Sequence, residues 1–129
     1  MSDKFTVEII SPDKLIIKTE AIEVILPSFE GEMGILRDHI PLITFLRPGL
    51  IKIKNGSEKK YFVDDGTVEF SNNNLLILTS TAEELSKINK DTISIAIENA
   101  KNKMNSDDST DKEKYILSHK IDTLKNINQ

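Results

Sequence analysis

The hydrophobic period of this chain changes once, near Asn89, and that change limits the fold more than any other feature. Before it, apolar residues recur at every second position in short runs, the period of a half-buried strand. After it, Ile93, Ala96, Ile97, Ala100 and Met104 follow the i, i+3, i+4, i+7, i+11 spacing of one helical face. The expected fold is therefore α+β. An N-terminal antiparallel β-sandwich spans residues 1–86, and a C-terminal two-helix hairpin spans residues 87–129.

Phe5 to Ile9 alternates, Ser11-Pro12-Asp13 turns, and Leu15 to Lys18 resumes the strand. Ile22 to Leu26 predicts a strand that stops at Pro27. Ile51 to Lys54, Asn55-Gly56 and Tyr61 to Val63 predict a hairpin, with Ser57 to Lys60 allowing a longer loop. Asp64-Asp65-Gly66 lacks the alternating ligands of a calcium loop and reads as a hairpin turn. Val68 to Phe70 and Leu75 to Leu78 flank a polar run, Ser71 to Asn74, as a further hairpin. In the helical part, Thr110-Asp-Lys-Glu113 matches a capping box, and Leu117, Ile121, Leu124 and Ile127 give the second helix one apolar face. Helices of this length are marginal alone in water, so they must dock on each other, on the sandwich or on a partner. Ser80-x-x-Glu83 also resembles a capping box, but no helical period follows it and no helix is expected there.

Charge and composition exclude several functions. Residues 1–86 carry nine Lys and Arg against fourteen Asp and Glu; residues 87–129 carry eight against seven. An acidic body argues against a nucleic-acid partner or an anionic membrane surface, because phosphates need dense Lys and Arg. With no cysteine there is no disulfide or thiolate metal site, which fits a reducing compartment. The apolar runs fall short of the roughly 20 residues of a membrane-spanning helix. The first ten residues lack the build of a secretory signal, so an intracellular, soluble chain is expected.

Glu30, Glu32, Asp38 and His39 fall within ten residues, and His39 is one of two histidines. A metal site or an acid–base site needs these groups to converge. No second histidine lies nearby, and no serine or threonine stands in a nucleophile-elbow context. The favoured reading is a structural histidine beside Pro41, hydrogen-bonded to backbone. Gly31, Gly34 and Gly49 have neither order of a phosphate loop and read as turns or bulges. Lys112, Lys114, Lys120 and Lys125 alternate with Asp111, Glu113 and Asp122, as on a solvated helix face. A carbohydrate-binding sandwich would need an aromatic platform, and the chain has no tryptophan and two tyrosines.

Glu30-Gly-Glu-Met-Gly-Ile-Leu36, then Asp38-His39-Ile-Pro41-Leu42, then Pro48-Gly49 resembles the epsilon subunit of rotary ATP synthases. The family pattern runs G-E-(apolar)-G-I-(apolar)-P-G-H-x-P-L, followed by a proline-glycine pair. Phe5 to Pro12, Phe62 to Glu69 and Leu76 to Glu83 resemble further family segments in the same order. The resemblance implies a sandwich and a helical hairpin, no catalysis by the chain itself, and no cofactor. It implies partners as well: the gamma subunit, the c-ring subunits, and the alpha and beta subunits reached through the C-terminal helices. Such a subunit is peripheral to a membrane through its complex, on the cytoplasmic face of a bacterial inner membrane or its plastid equivalent. Glu30, Gly31 and Glu32 match the loop that faces the c ring, and His39 and Pro41 would set the following turn. The family's ATP motif I/L-D-x-x-R-A falls on Ile88 to Ile93, where Asn89 replaces the aspartate and Thr92 the arginine. Loss of both charges predicts weak or absent nucleotide binding. Arg37-Asp38 replaces the usual Pro-Gly. The second helix mixes charges where an inhibitory arm is expected to present a basic face.

Overall fold

Ten short strands form the N-terminal part, and each core-facing side chain follows from the alternation of its strand. The computed structural model describes residues 3–127. Met1, Ser2, Asn128 and Gln129, at the outer limits of the two expected domains, lie outside the described residues. The strands are β1 Phe5–Ile10, β2 Leu15–Ala21, β3 Glu23–Ser28, β4 Gly31–Leu36 and β5 Leu42–Leu46. They continue as β6 Gly49–Asn55, β7 Ser57–Val63, β8 Gly66–Ser71, β9 Asn74–Leu78 and β10 Ala82–Glu84. A 3₁₀ turn, Leu85–Lys87, leads to α1 Lys90–Met104 and α2 Asp111–Ile127.

The strand order is β10-β7-β6-β3-β5-β8-β9-β1-β2, with β4 on the other edge of β3. β3 joins the two layers: Glu23 to Ile25 pair with β6, while Ser28 pairs with Leu46 of β5. Between the layers lie Phe5, Val7 and Ile9 of β1, Val24 and Leu26 of β3, Ile35 of β4, and Ile51 and Ile53 of β6. Val68 and Phe70 of β8 and Leu75 and Ile77 of β9, in the same layer as β1, complete that core.

The sandwich and the helical pair agree with expectation, and five local readings are corrected. First, the sheet is not wholly antiparallel, because β1 and β9 run parallel from Thr6↔Asn74 to Ile10↔Leu78. Second, β3 continues through Pro27 to Ser28. Proline lacks only the donor, and its carbonyl is used by the Arg47 N–H at 3.0 Å. Third, Ser57 to Lys60 are strand, not loop, since Gly56 at φ +77 closes the hairpin tightly. That segment extends past the core, held by backbone pairing to β6, so no apolar alternation marks it. Fourth, Asp64-Asp65-Gly66 is a crossing between layers, because Val63 pairs with β6 and β10 while Gly66 pairs with β5. Asp65 fixes the crossing: its carboxylate accepts from the Ser80 N–H and hydroxyl, and its carbonyl from the Thr79 hydroxyl at 2.7 Å. Fifth, Gly34 is paired with Ile25 inside β4 and Gly49 with Val63 at the start of β6, so these two are strand residues and not turns or bulges.

The helices follow their predicted faces. Ile93 and Ala100 of α1 and Ile121 and Leu124 of α2 are buried. The capping box forms as read, with the Glu113 N–H donating to Thr110 Oγ1 at 3.1 Å and the Thr110 N–H to Glu113 Oε1 at 3.4 Å. The hairpin docks on the outer face of β6–β7. There the cross-strand pair Leu50–Phe62 meets Ile93, Ile97, Leu124 and Ile127.

Candidate interaction surface

β5 reads Leu42-Ile43-Thr44-Phe45-Leu46, apolar on both phases of its alternation. Leu46 faces the core, which turns Ile43 and Phe45 outward at 71% and 60% exposure. Register carries this pattern across the layer. Phe45 pairs with Thr67, Thr67 with Leu78, and Leu78 with Ile10, so the four share one face. The next row runs Ile43, Glu69, Leu76 and Glu8. Single exposed apolar side chains are ordinary; a contiguous patch of them marks an interaction site.

α2 stands over one end of this face. A groove of about 1360 Å³ opens between them, with Ile10, Pro12, Phe45 and Leu78 opposite Ile116 and Leu117. Lys112 and Lys120 line it from the helix, and Glu30, Asp64 and Asp65 from the sandwich. Three polar contacts tie the helix down. The Tyr115 hydroxyl donates to the Phe29 carbonyl at 3.2 Å, beneath a stacked Phe29–Tyr115 ring pair. Lys120 Nζ lies 2.9 Å from Asp64 Oδ1. Arg47 Nη1 lies 2.8 Å from His119 Nε2 and close to Nδ1. Burial first, then the Arg47 charge, hold the His119 pKa below its ordinary value, with Asp122 pulling the other way.

The residues singled out from sequence do not converge. Glu30 sits in the two-residue Phe29-Glu30 turn, and Gly31 opens β4 at φ +125, a conformation open to glycine almost alone. Ser28 Oγ donates to the Gly31 carbonyl at 2.6 Å, and Glu30 and Glu32 are exposed. Asp38 and His39 lie beyond the far end of β4, roughly 20 Å away at about 3.3 Å per residue. That separation leaves no shared pocket for an acid–base pair. The His39 N–H donates to the Leu36 carbonyl at 3.1 Å, its ring Nδ1 lies 2.8 Å from the Ile40 carbonyl, and its ring stands edge-on to Phe70. Pro41 is exposed just before β5. Asn89 is the N-cap of α1, its side chain accepting from the Thr92 N–H at 2.7 Å, and Thr92 is exposed. The first groups read as a degenerate nucleotide motif thus begin a helix.

The Arg37-Asp38 departure has a physical account. Asp38 has φ +66, the left-handed region where glycine would be unstrained. A reciprocal pair holds it there: the Asp38 N–H donates to Asn73 Oδ1 at 2.7 Å, and Asn73 Nδ2 donates to Asp38 Oδ1 at 3.0 Å. Asn72 and Asn73 are themselves left-handed, as the tight β8–β9 turn requires. Asp38→Ala is expected to destabilise the fold by about 1–2 kcal/mol, and Asp38→Gly by less than half of that. Urea titration of the two variants checks this; equal losses would remove backbone strain as the reason.

Sequence reasoning passed over Ile43, Phe45 and Leu78 as surface, and Arg47, Tyr115 and His119 as clamps. The surface had a signal in the two-sided apolarity of Leu42 to Leu46. The clamps had none, since each joins positions distant in the chain.

A family model for the beta-sandwich domain of the ATP synthase delta/epsilon chain matches residues 4–85. An ATP synthase epsilon chain of Pelagibacter ubique is 48% identical over 130 residues, covering 99% of this chain and 100% of that one. Two solved structures share the fold. One is from the Euglena gracilis mitochondrial ATP synthase, with TM-score 0.84 and 22% identity over 100% of this chain and 84% of the other. The other, from the Tetrahymena thermophila mitochondrial ATP synthase, has TM-score 0.70 and 16% identity over 96% of each chain.

Proposed function

The chain belongs to the family of ATP synthase epsilon chains, and on that premise we propose that it is a non-catalytic central-stalk subunit joining gamma to the ring of c subunits. In this role it turns with both and helps couple ion-driven rotation to ATP synthesis, peripheral to the membrane through the complex. The observation that carries the reading is the apolar patch of Ile43, Phe45 and Leu78, which stays exposed among the described residues although α2 stands over one end of that face. Such a face is suited to the apolar centre of a lasting subunit contact, here with gamma. The exposed carboxylates of Glu30 and Glu32, on a turn where Gly31 brings backbone close to the surface, suit polar docking on the c-ring loops. The helices, tied to the sandwich by one small apolar contact and a few polar ones, are the part able to restrain ATP hydrolysis by reaching alpha and beta subunits.

Pull-down of the full chain with the gamma subunit is expected to give a stable complex. In ATPase assays of the assembled enzyme, removing residues 87–129 should raise hydrolysis. Failure to associate would refute the stalk assignment; unchanged hydrolysis would refute only the restraint.

A further inference from the structure

We propose that the Arg47–His119 contact is an acid-released latch that holds α2 against the sandwich. Arg47 lies in the short connection between β5 and β6, and its position is fixed from below. Its Nε–H donates to the Ser28 carbonyl at 2.9 Å, and its backbone N–H to the Pro27 carbonyl at 3.0 Å. From there Nη1 meets the imidazole of His119 midway along α2.

Only a neutral imidazole can take part in that contact. It offers one ring nitrogen with a free lone pair, which accepts from the guanidinium. An imidazolium has donors on both nitrogens, so protonation removes the acceptor and sets two cations side by side. The charged or titratable group facing His119 from the sandwich is Arg47. From α2 itself they are Tyr115, edge-on at 4.6 Å, and Asp122, whose charge favours the proton. Burial and Arg47 outweigh Asp122, so docking and protonation oppose each other.

The sign follows from linkage. In an undocked helix His119 titrates near the usual ~6.5, whereas docking lowers that value. Its contribution to docking is therefore complete above about pH 6.5 and is lost as pH falls through the docked pKa. The rest of the interface is the packing of Leu50 and Phe62 against Ile93, Ile97, Leu124 and Ile127, the Phe29–Tyr115 ring pair and the Lys120–Asp64 ion pair, none of which contains an imidazole.

The test is amide hydrogen exchange on the full chain at about pH 7.5 and pH 5.5, corrected for intrinsic exchange rates. Protection of α2 relative to β1 and β9 is expected to fall by up to about tenfold at the lower pH. His119→Gln, which accepts a hydrogen bond without titrating, should show no such fall. Arg47→Gln should move the His119 titration upward when followed by NMR. Equal α2 protection at both pH values would overturn the latch, as would an undiminished fall in His119→Gln. If His119→Gln does not dock, the Arg47→Gln titration decides, and an unmoved His119 would overturn it too.

Discussion

Replacing Phe70 with alanine is expected to lower the unfolding free energy by about 3–5 kcal/mol, the usual range for losing a fully enclosed aromatic ring. Phe70 is 1% exposed and heads the largest fully buried side chains of the core. Its ring stands edge-on to Phe5, with centroids 5.7 Å apart, and edge-on to His39 at 6.0 Å. Truncation therefore leaves a cavity beneath β8 and removes the surface on which the His39 turn rests. Glu69→Ala, one residue away on the exposed face, should change stability by no more than about 0.5 kcal/mol. Urea titrations of both variants give the comparison. A Phe70→Ala loss below about 1 kcal/mol would mean that the core closes over the gap and is not packed as described.

The second large effect concerns association. Phe45→Glu places a carboxylate in the exposed apolar patch beside Ile43, where an apolar partner surface would strip it of water. Aromatic residues at the centre of interfaces commonly carry about 2–4 kcal/mol, so affinity for gamma should fall roughly 30- to 1000-fold. Phe45 is 60% exposed in the chain itself, so the free protein should keep its fold and its urea midpoint. Titration of gamma by calorimetry measures the loss. A change under threefold, with folding intact, would place the contact elsewhere and leave the outer face of β5 without a partner.

Features that depend on local chemistry were legible in the sequence. The helical face from Ile93 to Met104, the Thr110–Glu113 capping box and the Asn72-Asn73 turn each rest on residues within a few positions of one another. Features that depend on pairing were not. Nothing near Phe5 says that β1 lies parallel to Asn74–Leu78, because that choice is made by strands seventy residues away. Ser57 to Lys60 form strand because Lys52 to Asn55 stand opposite, not because of their own pattern. Asp64-Asp65-Gly66 looks like any tight turn until the partners of Val63 and Gly66 are known. The site divides the same way. Glu30 and His39 are close in sequence yet are held apart by β4, whereas Arg47 and His119 are far apart in sequence yet touch.

The parallel pairing of β1 with β9 also orders the chain's assembly in time. On a ribosome, β1 and β2 can zip together as soon as residue 21 is free, since they form a local hairpin. The other edge of β1 must wait until Leu78 has emerged, and with it the strand that carries Leu75 and Ile77 into the core. Closing so long a loop costs entropy before any contact is gained, which slows the step. During synthesis, most of the sandwich is therefore exported with one apolar edge open, and a chaperone that guards nascent chains would meet it there.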